Sequence, residues 1–153
     1  MHRVPLFCAF GLILAVASAR AAEDHYYTLI AVDTASATFA DDNAQRDRDG
    51  SIRLTLLQVP QAGAIAYSTH QVMINCASKQ TQVLEGVNFS RSGTQSPIEG
   101  EAAPGPIKPN TIGSVLQHYI CDGIDPFPRS KTIKSLDDAL SRAGDLIAAE
   151  KNK

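Results

Sequence analysis

From Tyr26 to Arg91 the apolar residues alternate with polar ones at a spacing of two, the period of a strand with one buried face. "YYTLIAV" is rich in β-formers and "ATFA" is placed to pair beside it. In "SIRLTLLQV" the residues Ile52, Leu54 and Leu56 share one face and Arg53 and Thr55 the other, which predicts a half-buried antiparallel strand. "AYSTHQVMINC" follows with Val72, Ile74 and Cys76 on one face, so Cys76 is expected on the core side. A short turn near Ser78 then leads into "TQVLEGVNFS".

The pattern breaks over residues 92–109, where Pro97, Pro104, Pro106 and Pro109 exclude both a helix and a central strand. This stretch reads as a loop with room for one short edge strand. It is also the expected place for contacts, together with the sheet side. Arg91, Ile98, Glu99, Glu101 and Ile107 stand on or beside a segment that its prolines pre-order.

Beyond it the period changes to that of a helix. In "KPNTIGSVLQHYIC", Asn110 or Thr111 caps a helix whose residues Ile112, Val115, Leu116 and Tyr119 form one apolar face. Cys121 falls off that stripe, so it is expected to leave from a frayed last turn before Asp122-Gly123. In the second helix Ser135 is the cap and Asp138 the third helical residue, as in a capping box. Its stripe is Leu136, Ala139, Leu140, Ala143 and Ile147, and Gly144 weakens it by about 1 kcal/mol relative to alanine. The fold class is therefore α+β: an antiparallel sheet of about five or six strands with a helix against it, plus a C-terminal helix.

The amino terminus changes the setting. "MHRVPLFCAFGLILAVASARAA" has a basic start, an apolar stretch from Val4 to Val16 and small residues at its end, the pattern of a signal peptide. The apolar part is shorter than the roughly 20 residues that cross a bilayer, and no later stretch reaches that length. Cleavage after Ala19 or after Ala21 fits the peptidase's need for small residues, and the preferred cut lies between Ala21 and Ala22. Residues 1–21 would then be removed, leaving 22–153 as one exported α+β domain of 132 residues. Its 12 basic side chains face 16 acidic ones, a net of −4, and no basic patch with interleaved aromatics appears, so nucleic-acid binding is not expected.

Cys8 leaves with the signal, which leaves Cys76 and Cys121. In an oxidising compartment their pairing is the expected state, and it tethers the first helix to the sheet. Closing a loop of roughly 45 residues stabilises a fold by about 4 kcal/mol on the chain-entropy account.

Three stretches, "TFADDNAQRDRDGSIRLTLLQV", "YSTHQVMINCASKQTQV" and "PIKPNTIGSVLQHYIC", together resemble the bacterial surface-adhesin protein E-like family. The shared features fall on Ser51-Ile52, Tyr67-Ser68, Cys76, Pro109-Asn110-Thr111 and Cys121. The resemblance covers about residues 26–122 and leaves 123–153 as a C-terminal helical extension. It departs in tryptophan, of which the chain has none; Tyr26 or Tyr27 stands where the family's first one falls. The resemblance implies a curved antiparallel sheet with a disulfide-tethered helix across one face, and a protein that binds others at the bacterial surface.

Candidate chemistry is sparse. With Gly50 at the sixth position of a calcium loop, Gln45, Asp47 and Asp49 take the first, third and fifth, but Leu56 stands where the bidentate glutamate belongs. Arg46 and Arg48 would also repel the cation, so "DRDG" reads as a tight turn in which Asp49-Gly50 supplies positive backbone angles. His25, His70 and His118 share no metal-ligand spacing. Asp41-Asp42 reads as part of a polar turn, and Asp137-Asp138 sits in the first turn of a helix, where the macrodipole accounts for it. Asn88-Phe89-Ser90 is a formal glycosylation sequon inside a strand. No nucleophile elbow, free cysteine beside a histidine, or apolar carboxylate pair is found.

The expected function is thus that of an exported binding protein of a Gram-negative bacterium, periplasmic, secreted or at the cell surface, without catalysis and without a cofactor. Its partner would be a protein or small ligand, and a homodimer is left open. A periplasmic accessory or inhibitor is the alternative, and a small hydrolase a more distant one.

Overall fold

The computed structural model describes residues 25–128 and 133–153. The segment 1–21 expected as a signal peptide and the expected cleavage pair, Ala21 and Ala22, lie outside the described residues. The strands are β1 (Tyr27–Val32), β2 (Ser36–Asp41), β3 (Gln45–Arg46), β4 (Ile52–Pro60), β5 (Ile65–Asn75), β6 (Gln80–Ser90), β7 (Gln95–Glu99) and β8 (Gly105–Pro106). The helices are α1 (Ile112–Asp122) and α2 (Leu136–Lys151). All strands belong to one antiparallel sheet in the order β1-β2-β4-β5-β6-β7, with β3 extending the line of β2 beside β4 and β8 that of β7 beside β6. Neighbours in the sheet are neighbours in sequence, as expected where short turns join strands of alternating polarity.

The α+β class and the disulfide-tethered helix are as expected, but β4 is not half-buried along its length. Ile52, Leu54 and Leu56 share a cluster with Ile30, Ala40, Val72, Ile74 and Leu116 of α1. Leu57 and Val59, on the opposite face, join Leu29, Ala37 and Phe39 under Ala139, Ala143 and Ile147 of α2. Strand alternation therefore puts the two helices on opposite faces of the sheet, α1 over the first half of β4 and α2 over its second half. The stretch "LTLLQV" packs on both sides because Leu56 and Leu57 are adjacent. Strand β2, between the two layers, is buried from Ala37 to Asp41.

Local signals fix most ends. Thr111, not Asn110, caps α1: its hydroxyl accepts from the Ser114 N–H and the Ser114 hydroxyl accepts from the Thr111 N–H, while Asn110 takes a left-handed φ of 59°. Ile112, expected on the buried face, is exposed; the stripe runs instead through Val115, Leu116, Tyr119 and Ile120. Cys121 does not leave from a frayed turn. The helix is regular to Asp122 and stops at Gly123 in the left-handed region, with His118 O accepting from the Gly123 and Ile124 N–H groups. Ser135 caps α2 as expected, accepting from the Asp138 N–H, and Asp138 reaches back to the Lys134 N–H.

Two turns depend on glycine. In the β3–β4 hairpin only Gly50 has a positive φ, 83°; Asp49 does not share it, because the Gly50 N–H closes onto Asp47 O before the chain turns back. At Gly100 a Cβ would stand 1.8 Å from the Leu84 carbonyl oxygen, beside the point where the β5–β6 register shifts, so β7 can leave the sheet there only without a side chain.

The stretch 92–109 carries two strands, not one at most. Pro97 lies opposite Val87 in β7, at the outer edge of the described sheet. Having no N–H, it interrupts the row of donors a further strand would need. Among the described residues no helix is long and apolar enough to cross a membrane.

Candidate functional site

The cysteines meet as expected: the Cys76–Cys121 S–S distance is 2.02 Å and the Cα atoms are 5.7 Å apart, joining the turn after β5 to the last turn of α1. A second tie holds α1. The Tyr119 hydroxyl donates to Asp42 Oδ1 at 2.8 Å and lies 3.1 Å from Thr28 Oγ1, which bonds the same carboxylate oxygen at 2.9 Å. Burial, above all, pushes the Tyr119 phenol above its usual range.

Asp41-Asp42 is therefore not only a polar turn. Asp41 ends β2 buried, and its Oδ2 lies 2.6 Å from His25 Nδ1, with Asn43 Nδ2 3.3 Å from the same nitrogen. Tyr27, opposite Asp41 in the sheet, has its phenol raised by burial first and by the Asp41 charge second. No short-range pattern marks these contacts, because Asp42 and Tyr119 are 77 residues apart.

His25, His70 and His118 lie on the segment before β1, on β5 and on α1 respectively. His118 pairs with Asp122 one turn away at 2.7 Å. His70 faces the α1 side beside Gly86, half-buried, and that burial lowers its pKa. The acids of the opening turn are engaged too. Arg53 grips Asp47 with two bonds, Nε to Oδ2 at 2.8 Å and Nη2 to Oδ1 at 2.6 Å. The Ser51 side chain, and then its backbone N–H, hold Asp49 and lower its carboxyl below the usual range. Among the described residues no group of three His, Cys, Asp or Glu side chains is placed to hold a metal. Asn88 accepts from the Ser68 hydroxyl at 2.6 Å, a cross-strand bond on the sheet.

Most of the side chains expected to make contacts along 91–107 are occupied. Arg91 Nε donates to Gly63 O, the Glu101 carboxylate accepts from the Val83 N–H, Ile107 packs in the α1 cluster and Ile98 is partly buried. Glu99 remains exposed.

What the fold leaves open lies beside it. The helices cover the β1-β2-β4 half of the sheet, so among the described residues nothing lies over the β5-β6-β7 half on the α2 side except where Tyr67 stacks on Phe89 at 4.4 Å, with Tyr67 packing on the α2 cluster. Cross-strand pairing makes one row of Thr55, Gln71, Glu85 and Glu99, and the next of Leu57, Thr69, Val87 and Pro97. They enclose a groove of about 420 Å³, lined among others by Thr55, Thr69, Gln71, Glu85, Val87 and Pro97. A smaller hollow of about 160 Å³ shares Thr55 and Gln71 and continues it to Arg53, Gln45 and Asn43. The floor is hydroxyl and amide with an apolar patch at Val87 and Pro97. Its far rim sets Glu85 directly opposite Glu99, a like-charge pair that weakens the sheet. These positions read as an ordinary solvent face in the sequence; the signal that marks them is the run of polar residues at alternate places in β4, β5 and β6.

Comparison with protein families, with characterised proteins and with solved structures finds no match to this chain.

Proposed function

We propose that this chain is an exported binding domain of the surface-adhesin protein E-like kind, acting by association and not by catalysis. It engages a protein partner through the open α2-side face of the sheet between β4 and β7. The groove across Thr55, Thr69, Gln71 and Glu85 carries this reading, since it is the concave ground that both helices leave uncovered. Its chemistry suits a protein surface. Hydroxyls and amides give adaptable hydrogen bonds, Val87 and Pro97 give an apolar anchor, and the Glu85–Glu99 pair gains from a basic side chain brought between them. The disulfide and the signal-like amino terminus support export, because such a bond persists in oxidising compartments.

The test uses the mature protein immobilised and exposed to envelope and host-matrix extracts, with captured proteins identified by mass spectrometry. A partner held by the wild type should be lost with Gln71→Lys and retained with Asp145→Lys on the outer side of α2. Capture of the same proteins by wild type and Gln71→Lys alike would remove the groove from the account.

A further inference from the structure

A second concavity lies on the other side of α2's footing and shares no lining residue with the groove. It is a pocket of about 290 Å³ between Leu140, Gly144 and Ile147 of α2 and Val59, Pro60 and Ala66 of the β4–β5 hairpin. Residues 140, 144, 147 and 151 recur at helical spacing, so the stripe that lines the pocket ends at Lys151. Gly144 keeps it open: a Cβ built there meets nothing within 4 Å, so the glycine answers no packing constraint and weakens the helix without a structural return.

The mouth is cationic. Arg91 lines the pocket and is held in place by hairpin carbonyls, Nε on Gly63 O at 3.1 Å and Nη2 on Gln61 O at 3.5 Å. Lys151 reaches the same Gln61 from the helix, Nζ on Oε1 at 2.5 Å. Neither cation has a carboxylate partner among the described residues; Glu150, the nearest acid along the helix, is paired with Lys153. An oriented guanidinium with free donors beside an apolar cleft is the arrangement that recognises a carboxylate on an aliphatic tail.

We infer that this pocket binds a small aliphatic monocarboxylate, its tail between Leu140, Ile147 and Val59 and its carboxylate on Arg91, with Lys151 as the second cation. The volume sits near the lower bound of roughly 300 Å³ for small-molecule sites, so the ligand is a short-chain or medium-chain acid and not a bulky lipid. The inference does not rest on the groove, and the groove variant serves as its control.

The experiment is a titration of the mature, oxidised protein with sodium octanoate, followed by amide chemical shifts, with 1-octanol as the uncharged comparison. Octanoate should saturate shifts at Val59, Ala66, Leu140 and Ile147 in the millimolar range or tighter, and octanol should bind about tenfold more weakly. Arg91→Gln and Lys151→Gln should each raise the octanoate Kd, the first by about tenfold, and bring it toward that of octanol. Gly144→Leu fills the cleft from a position with open space, so it should keep the fold and abolish binding, while Gln71→Lys should leave binding unchanged. No saturable shifts in the pocket, equal affinity for acid and alcohol, or unaltered binding in folded Gly144→Leu would each overturn the inference.

Discussion

Replacing both half-cystines, Cys76→Ser with Cys121→Ser, isolates what the bond adds to a helix that is also packed. The bond closes a loop of 45 residues, and the loss of that constraint in the unfolded chain corresponds to about 4 kcal/mol. For a domain with total stability of roughly 5–15 kcal/mol this is a large share. The helix does not depend on it alone. Leu116 is fully buried and contributes about 2 kcal/mol, Val115, Tyr119 and Ile120 add part of their area, and Tyr119 is hydrogen-bonded to Asp42. The variant should therefore stay folded, with α1 docked, at lower stability. In urea, with m of about 1.5 kcal/mol/M, the midpoint should fall by roughly 2–3 M relative to the oxidised wild type, and m should rise as the unfolded state expands. Hydrogen exchange should accelerate in α1 well before α2, since α2 carries no tether. A midpoint within about 0.5 M of the wild type would refute the reasoning, as would equal acceleration in both helices.

Gly100→Ala sets a methyl group 1.8 Å from the Leu84 carbonyl oxygen, so it should cost about 2 kcal/mol or more, seen as a lower thermal midpoint. His70 has a pKa lowered by burial, so its folded value lies below the unfolded one. Its stabilising share is complete above the unfolded pKa of about 6.5 and is lost as pH falls through the folded value. Unfolding of wild type and His70→Gln measured between pH 7 and pH 5 should accordingly show wild type losing stability relative to the variant as the pH drops, and a pH-independent difference would contradict that. Calorimetric titration with calcium should give no heat of binding, because Arg53 and Ser51 occupy Asp47 and Asp49. Micromolar binding that disappears in Asp47→Ala would show that the turn yields its carboxylates to a cation.

The parts of this fold that sequence periodicity makes legible are those where one residue type answers to one local rule. Ile52, Leu54 and Leu56 alternate and share a face; Ser135 precedes a helical stripe and caps it; Asp49-Gly50 marks a turn. Leu57 and Val59 show where that limit lies, since a strand of alternating polarity gains a second buried face only when a helix 80 residues later folds over it. The same holds for residues 92–109. The prolines rule out a central strand, yet an edge position needs no inward N–H from Pro97, so β7 forms. Ile112 is an apolar residue at the first turn of its helix, beyond the edge of the surface it was expected to cover. The candidate groove is the least legible feature, because it consists of polar residues at positions that any solvated sheet would also fill. It becomes distinct only once the places of α1 and α2 define what remains bare.

The proposal that the open face between β4 and β7 is the binding surface is tested most directly by carboxyl footprinting of the mature protein with and without a partner it captures. Glu85 and Glu99 face each other on that surface and are exposed, while Asp137 and Asp145 are exposed on α2. Carbodiimide labelling read by peptide mass spectrometry should fall at Glu85 and Glu99 in the complex and stay constant at Asp137 and Asp145. Protection at the α2 acids with unchanged labelling at Glu85 and Glu99 would contradict the account and move the interface to the helix.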